Sequence, residues 1–485
     1  MEAGLPADLP RLQRQNGPAP KPGIVHLGLG AFYRAHVAIY VEEAMEASGG
    51  DWGIVGVSLQ SPTMHDNLAP QDYVYTAEEL RPQGPFLRQV EILSDVLVAR
   101  DDPEAVLRKM ADPGIRIVTL TITEKGYCHD PASGRLNLDH PDIVHDLEEE
   151  MPLSAPGYLV RALERRKAAG HPPFTVLTCD NLPDNGPLVR GIVLELAERI
   201  GPELAQWIAS EGRFPATMVD RIVPATKPED VEALAARTGR LDAAPVTHEP
   251  FRQWVVEDDF VSAYGNAARP DLAASGVELV DNVTPYERMK LRMLNGTHSA
   301  LAYLGYLAGM ETISETVADT VLAGYVKRLW RTEIAPSFDA PQGIDLAAYA
   351  DALFSRYANP AIRHRTWQIA MDGSQKLPQR ILATLHDNIA RDTPSPGLTA
   401  AVAAWMIYVG GTDLSGRQID VRDPMAERLR SLSEGAENAA EKVRAFLDIR
   451  DIFDADLAET LRPGLIDAYE GLRANGVRRT LEELQ

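Results

Sequence analysis

Two cysteines in 485 residues, Cys128 and Cys179, are too few for a disulfide framework or a multi-thiolate zinc site, and they point to a reducing compartment. Basic side chains are also scarce. Against 70 Asp and Glu there are 48 Lys and Arg, a net charge of -22. That balance argues against a general nucleic-acid binder, because phosphate contacts need clustered cations. An anionic small substrate is still compatible, since it needs only a local basic pocket. No run approaches the roughly 20 apolar residues that cross a bilayer. The most apolar helical stretch, around 300–310, is broken by glycine and tyrosine and reads as core. The opening MEAGLPADLPRLQRQNGPAPKPG has no apolar segment behind basic residues, so it is not expected to act as a secretory signal, and its prolines suggest an extended lead-in. A cytoplasmic chain with a small-molecule partner, and neither nucleic acid nor membrane, is expected; a monomer is the starting expectation, with an oligomer left open. With 45% hydrophobic and 24% charged residues, the chain is not disordered, collagen-like or a coiled coil, and its length suits two or three domains.

Short apolar runs alternate with amphipathic stretches in the first half. GIVHL (23–27), WGIVGVSL (52–59), IRIVTLTIT (115–123) and FTVLT (174–178) read as strands, with helices over 31–46, 101–113 and 158–169. This is the pattern of a parallel sheet covered on both faces, where ligands bind beyond the carboxyl ends of the strands. From about Tyr286 the segments 286–309, 315–336, 345–357, 378–392, 397–409 and 436–449 are amphipathic with few β-branched runs. The expected fold is therefore α/β: a doubly wound domain over 1–285 and a mainly α-helical domain over 286–485, without a flexible linker between.

The chemistry-bearing candidates lie mostly after strands. Gly28-Leu29-Gly30 permits a tight turn and close approach of a pyrophosphate to a helix N-terminus. Tyr33 stands where a third glycine is usual, and a bare strand-to-helix turn is the alternative. The second strand ends in Val57-Ser58-Leu59-Gln60-Ser61 with neither an acid for a ribose nor an arginine for a 2′-phosphate, so NAD and NADP are not discriminated there. Asn181, after the fourth strand, could donate to an oxyanion or simply form an Asx turn. Glu124 has the same placement, and Asp220-Arg221 could be an ordinary ion pair. On an α-helix, Lys290, Asn295 and His298 fall at roughly 0°, 140° and 80°. Burial of a lysine on that side would lower its pKa and make it a general base; a snorkelling lysine beside a polar cap is the alternative. Arg363, His364, Arg365 and Lys376 form a basic concentration that could bind a carboxylate or be a solvated face.

The runs IVHLGLGAFYRAH (24–36), TLTITEKGY (119–127), TCDNLPDNG (178–186), FPATMVDRIVP (214–224), EPFRQWVVEDDF (249–260), MKLRMLNGTHSALAYLGYL (289–307) and RTWQIAMDGSQKLPQR (365–380) cover most of the chain. Together they resemble the polyol-specific long-chain dehydrogenases, the mannitol dehydrogenase family. The resemblance implies a Rossmann-type N-terminal domain, a helical C-terminal domain, a substrate cleft between them, NAD as cofactor and no metal. By motif match, Lys290 is expected as general base, Asn181 and Asn295 as the oxyanion hole and His298 as the substrate-orienting residue. Glu287 would relay the lysine's proton, and Asp220 would line the substrate site. Gly28, Leu29, Gly30, Ala31, Phe32, Tyr33 and Arg34, with Glu124, would hold the cofactor. Within the family, Glu124-Lys125-Gly126-Tyr127-Cys128 and His364-Arg365-Thr366-Trp367-Gln368 are most similar to the fructuronate reductase (D-mannonate oxidoreductase) branch. That branch acts on a carboxylate, for which Lys125, Arg365 and Lys376 are the candidate contacts. Mannitol 2-dehydrogenase or a related polyol or altronate dehydrogenase is the alternative.

Overall fold

The β-branched segments of the first half pair into one five-stranded, all-parallel sheet. Its order is Leu93–Val98, Gly53–Ser58, Pro22–Leu27, Ile117–Leu120, Thr175–Thr178. The structure, a computed structural model, describes residues 9–484. Both faces of the sheet are covered, which is why its central strands read as continuous apolar runs rather than alternating ones. The chain steps outward from the central strand to Leu93–Val98, then crosses to Ile117–Leu120 on the other side. Strand order thus reverses beside Pro22–Leu27, which makes the ends of that strand and of Ile117–Leu120 the switch-point crevice of a Rossmann-type fold.

Helices on the sheet start where the sequence supplies caps. Asp102 accepts the Ala105 N–H ahead of Pro103–Ala111, and Ser154 accepts the Gly157 N–H ahead of Ala155–Ala168. The helix expected over 31–46 is two helices, Ala31–Ala35 and Val37–Ser48. His36 breaks it, with φ -129° and ψ -86°, while its buried ring bonds the Gln253 carbonyl at 2.9 Å. The strand Leu93–Val98 escapes the four-strand reading, as do two smaller sheets. One joins Thr217–Asp220, Gln253–Glu257 and Glu278–Val280; the other joins Phe86–Val90, Tyr75–Glu79 and Val246–His248. Their strands are short, and most carry polar or charged residues, so no long apolar run marks them. The first eight residues of the lead-in lie outside the described ones; beyond them Leu12 is buried and donates to the Leu241 carbonyl.

The chain divides between Thr284 and Pro285 into two compact units. The second is helical. At its centre Pro396–Val409 is buried on every side, and its neighbours include Thr297–Leu307 and the long C-terminal helix Ala455–Glu483. That last helix is absent from the sequence reading: Pro463 and several glycines interrupt its pattern, and at Gly476 (φ 75°) it kinks. Three single-turn π-helices, Lys290–Gly296, Trp330–Ile334 and Pro378–Leu382, replace α-turns that the amphipathic pattern implied. No helix among the described residues is long and apolar enough to cross a membrane.

Candidate active site

At the switch point, Gly28 has φ +92°, and a Cβ there would lie 2.2 Å from the Thr121 carbonyl oxygen, so only glycine fits. Gly30 differs. A Cβ would meet nothing nearer than the Gly28 oxygen at 3.8 Å, and the residue is exposed. The protein itself does not require glycine at 30; the space over the turn is open, which fits a group drawn close to the backbone. Leu29 is buried, lodged over Gly56, where a Cβ would come within 2.6 Å of its side chain. Tyr33, in place of the third glycine, stacks on His26 with ring centroids 3.2 Å apart, so a packed aromatic pair fills the helix–strand gap. Burial pushes the His26 imidazole down to about 3, and it sits between Thr119 Oγ1 (2.9 Å) and the Gly28 carbonyl (3.0 Å). Ala31 and Phe32 are half-buried at the start of the helix. Arg34 turns the other way: it is buried, bonds the Ala244 carbonyl and lies 5.3 Å over Tyr75, so its guanidinium braces the interior rather than facing the turn.

The opposite wall of the crevice is held under strain. Thr123 has φ +64° and ψ 164°, a region open in practice only to glycine, at a cost of about 1–3 kcal/mol. Asp180 holds it there. The carboxylate accepts the Ile122 N–H at 2.9 Å, the Thr123 N–H at 3.2 Å and the Tyr127 hydroxyl at 2.7 Å. Burial raises its pKa, and those hydrogen bonds oppose the rise. The clamp leaves Glu124 and Lys125 exposed on the loop, with Asn181 exposed immediately after Asp180. Asn185, fully buried, fixes the other side of Asp180 by donating to its carbonyl and by exchanging hydrogen bonds with Thr217. Asp220 is buried at the end of Thr217–Asp220. Sequence reasoning singled out Asn181 but neither Asp180 nor Asn185; the signal for Asp180 is a short acidic side chain closely following a buried strand, whereas Asn185 opens the next helix and carries no such mark.

In the helical unit, Lys290–Gly296 bonds i to i+5. Residues five apart then share a face as residues four apart do in an α-helix. Lys290 and Asn295 are thereby nearer one stripe than the 140° α-helical wheel allowed. Lys290 and His298 are buried; Asn295 and Glu287 are half-buried. A π-turn disturbs the carbonyl ladder, and side chains compensate: Trp330 Nε1 donates to the Met293 oxygen and the Tyr357 hydroxyl to the Leu294 oxygen, both at 2.9 Å. Gly296 lets the π-turn Pro378–Leu382 approach, since a Cβ there would lie 2.5 Å from the Arg380 carbonyl. Arg292 locks the outer side through the Ser337 carbonyl and Asp387.

Around His298 the side chains are aromatic and cationic. The imidazole stacks on Tyr357 at 5.3 Å and meets His364 edge-on at 4.6 Å. Burial, then His364, Arg380, Arg356 and Lys376, hold its pKa well below the usual value, so it is neutral near pH 7. Arg380 reaches Ser299 Oγ at 3.2 Å, and Lys376 donates to the Met371 carbonyl at 2.6 Å with Asp372 at 3.8 Å. Burial and Arg380 lower the Lys376 pKa. The basic cluster of the sequence is thus divided. His364 and Lys376 belong with His298, whereas Arg363 and Arg365 lie outward near Glu311, at 3.9 and 3.5 Å. Arg365 lines a pocket with Trp367 and Arg417 that does not include His298. Among the described residues, one group has donors close enough for a metal: Cys128, His140 and Asp142, with ligand atoms within 4.8 Å. Burial pushes the Cys128 thiol up to about 12.

Comparison with known proteins adds the following. Residues 22–267 match the mannitol dehydrogenase Rossmann domain and residues 282–470 the mannitol dehydrogenase C-terminal domain. The chain is 47% identical over 450 residues to YeiQ, an uncharacterized oxidoreductase of Escherichia coli strain K12, covering 92% of this chain and 90% of that protein. It is 44% identical over 468 residues to D-mannonate oxidoreductase of the same strain, covering 95% of each. The solved ternary complex of Pseudomonas fluorescens mannitol 2-dehydrogenase with NAD and D-mannitol is similar at TM-score 0.80 and 38% identity, over 99% of this chain and 97% of that one.

Proposed function

Since the chain belongs to the mannitol dehydrogenase family of oxidoreductases, we propose that it interconverts D-mannonate and D-fructuronate with NAD(H). The observation that carries this reading is the concentration of Lys376, Arg380 and Arg356 around a neutral His298, in a chain whose net charge is -22. A sugar acid supplies the anion such a setting favours; a polyol does not. The 44% identity to D-mannonate oxidoreductase points the same way.

Gly28 and Gly30, with the backbone of Leu29, Ala31 and Phe32, are the residues that would hold the dinucleotide, and NAD, when bound, supplies the hydride acceptor. Asp180 positions the neighbouring loop and Glu124 on it. In oxidation Lys290 Nζ takes the C5 hydroxyl proton of mannonate; in reduction it returns a proton to the C5 oxygen. Asn295 and Asn181 are the amide donors to that oxygen, His298 orients the substrate, and Glu287, one α-turn before Lys290, passes the proton onward. Asp220 contacts substrate hydroxyls. Lys376 receives the carboxylate, and Arg365, 56% exposed and turned to Glu311, is the weaker candidate for that contact.

The test is an NADH-consumption assay with D-fructuronate beside D-fructose, and the reverse assay with D-mannonate beside D-mannitol and D-arabinitol. Turnover confined to the acids is expected. The second reading, a mannitol 2-dehydrogenase, is favoured by the 38% identity to the P. fluorescens enzyme, and preferential turnover of D-mannitol would establish it over the first.

A further inference from the structure

Away from the Gly28 turn, the sheet unit contains a cavity of about 270 Å³ lined by four guanidinium groups, Arg81, Arg88, Arg221 and Arg252, and by two carboxylates, Glu43 and Glu79. The carboxylates are already engaged. Glu79 accepts from Arg81 at 2.6 Å, while Glu43 pairs with both Arg88 and Arg252. Arg88 is further matched by Glu42 at 2.7 Å.

Arg221 is the exception. Its side chain is 3% exposed; Nε donates to the Glu249 carbonyl at 3.1 Å and Nη1 to the Ala35 carbonyl at 2.6 Å. The nearest carboxylate contact of the head is Glu79 at 3.8 Å, beyond hydrogen-bond range. Buried charges are ordinarily paired by hydrogen-bonded counter-charges; this one keeps Glu79 only as a long ion pair and spends its hydrogen bonds on two neutral carbonyls. After burial, the Arg252 guanidinium does most to push Arg221 down to about 10, with Glu79, Tyr40 and Glu249 opposing. His248 on the same wall is held down to about 3 by burial and then by Arg221, so it adds no charge of its own. His248, Pro250 and Arg252 alternate along one side of their segment, whereas the intervening Glu249 turns its carboxylate to the Ile222 N–H at 2.6 Å. At the mouth Arg81 lies 4.4 Å over the ring of Phe86, which is half exposed. The result is a cavity with an apolar lip and a buried guanidinium in its wall.

We propose that this cavity binds a small metabolite bearing an oxyanion, a phosphate or a carboxylate, against Arg221, Arg252 and Arg81. Planar guanidinium forks match either group with paired hydrogen bonds. Occupancy would reach the rest of the unit through Arg221, which follows Asp220 in the chain and holds the last carbonyl of the helix that begins at the glycine turn.

The test is calorimetric titration of the full chain, saturated with NADH so that the dinucleotide position is taken, with inorganic phosphate in one arm and succinate in the other. Saturable binding in either arm is expected, and the arm that binds more tightly identifies the oxyanion. Arg252→Gln should weaken it by about tenfold or more, the loss of one charge-assisted hydrogen bond, while the exposed Arg428→Gln leaves it unchanged. If Arg252→Gln fails to fold, Arg81→Gln at the mouth serves, with the same expectation. Absence of saturable binding in both arms, or binding that neither pocket substitution weakens, overturns the proposal.

Discussion

The sheet unit and the helical unit prepare their chemistry by different means. In the first, what matters is backbone: Gly28 at positive φ against the Thr121 carbonyl, Gly30 under open space, and Thr123 in a strained conformation under the Asp180 carboxylate. In the second, side chains are brought to one face by a helix that has given up its α-turn, and the carbonyls this disturbs are met by Trp330 and Tyr357. A binding surface for a phosphate-bearing cofactor can be made of amides and empty space, which any residue with the right φ and no Cβ provides. Proton transfer needs one named amine at one place. The first arrangement should therefore fail through affinity or stability, the second through turnover.

The largest effect that separates the two is expected from Lys290→Ala. Turnover should fall by about 10²–10⁴ while NADH still binds, as read by fluorescence titration; near-normal turnover at any pH would remove the lysine from the role of base. Gly28→Ala should behave in the opposite way. The new Cβ meets a backbone oxygen at 2.2 Å in a conformation alanine resists, so NADH affinity should drop and the unfolding free energy, read from the denaturation midpoint, fall by more than about 1 kcal/mol. Unaltered affinity and midpoint would show that the turn is not constrained as described.

A second effect on stability comes from acid and involves both units. His26, His36 and His248 in the sheet unit are held down to about 3, His364 in the helical unit to about 4, and His298 well below its usual value, in each case first by burial. These groups stay neutral in the folded protein, whereas the unfolded chain takes up their protons below about pH 6.5. Stability is then intact above that pH and is lost as pH falls toward 4, by up to about 1.4 kcal/mol per pH unit for each histidine. Denaturant midpoints at pH 7.5, 6.5 and 5.5 check the sign, since a flat profile would mean the histidines protonate while folded.

Much of this was legible beforehand, for reasons that differ by element. The buried parallel strands Pro22–Leu27, Gly53–Ser58 and Thr175–Thr178 advertise themselves as apolar runs. Leu93–Val98 carries Ser94 and Asp95 and does not. The Gly28 turn could be read because glycine is the one residue whose absence of a side chain is informative. The division of Arg363, His364 and Arg365 could not, because adjacent residues point in different directions and only packing decides which one faces inward. The π-turn at Lys290 was hidden as well. Hydrophobic periodicity assumes 3.6 residues per turn, and one wider turn leaves too little pattern to detect.

The most direct test of the sugar-acid reading is the ratio of kcat/KM for D-mannonate to that for D-mannitol, measured in the unaltered chain and in Lys376→Gln. A ratio well above one that falls by about tenfold or more on substitution, with D-mannitol turnover little changed, is the predicted result. A ratio below one, or a preference for the acid that is indifferent to Lys376, would contradict it.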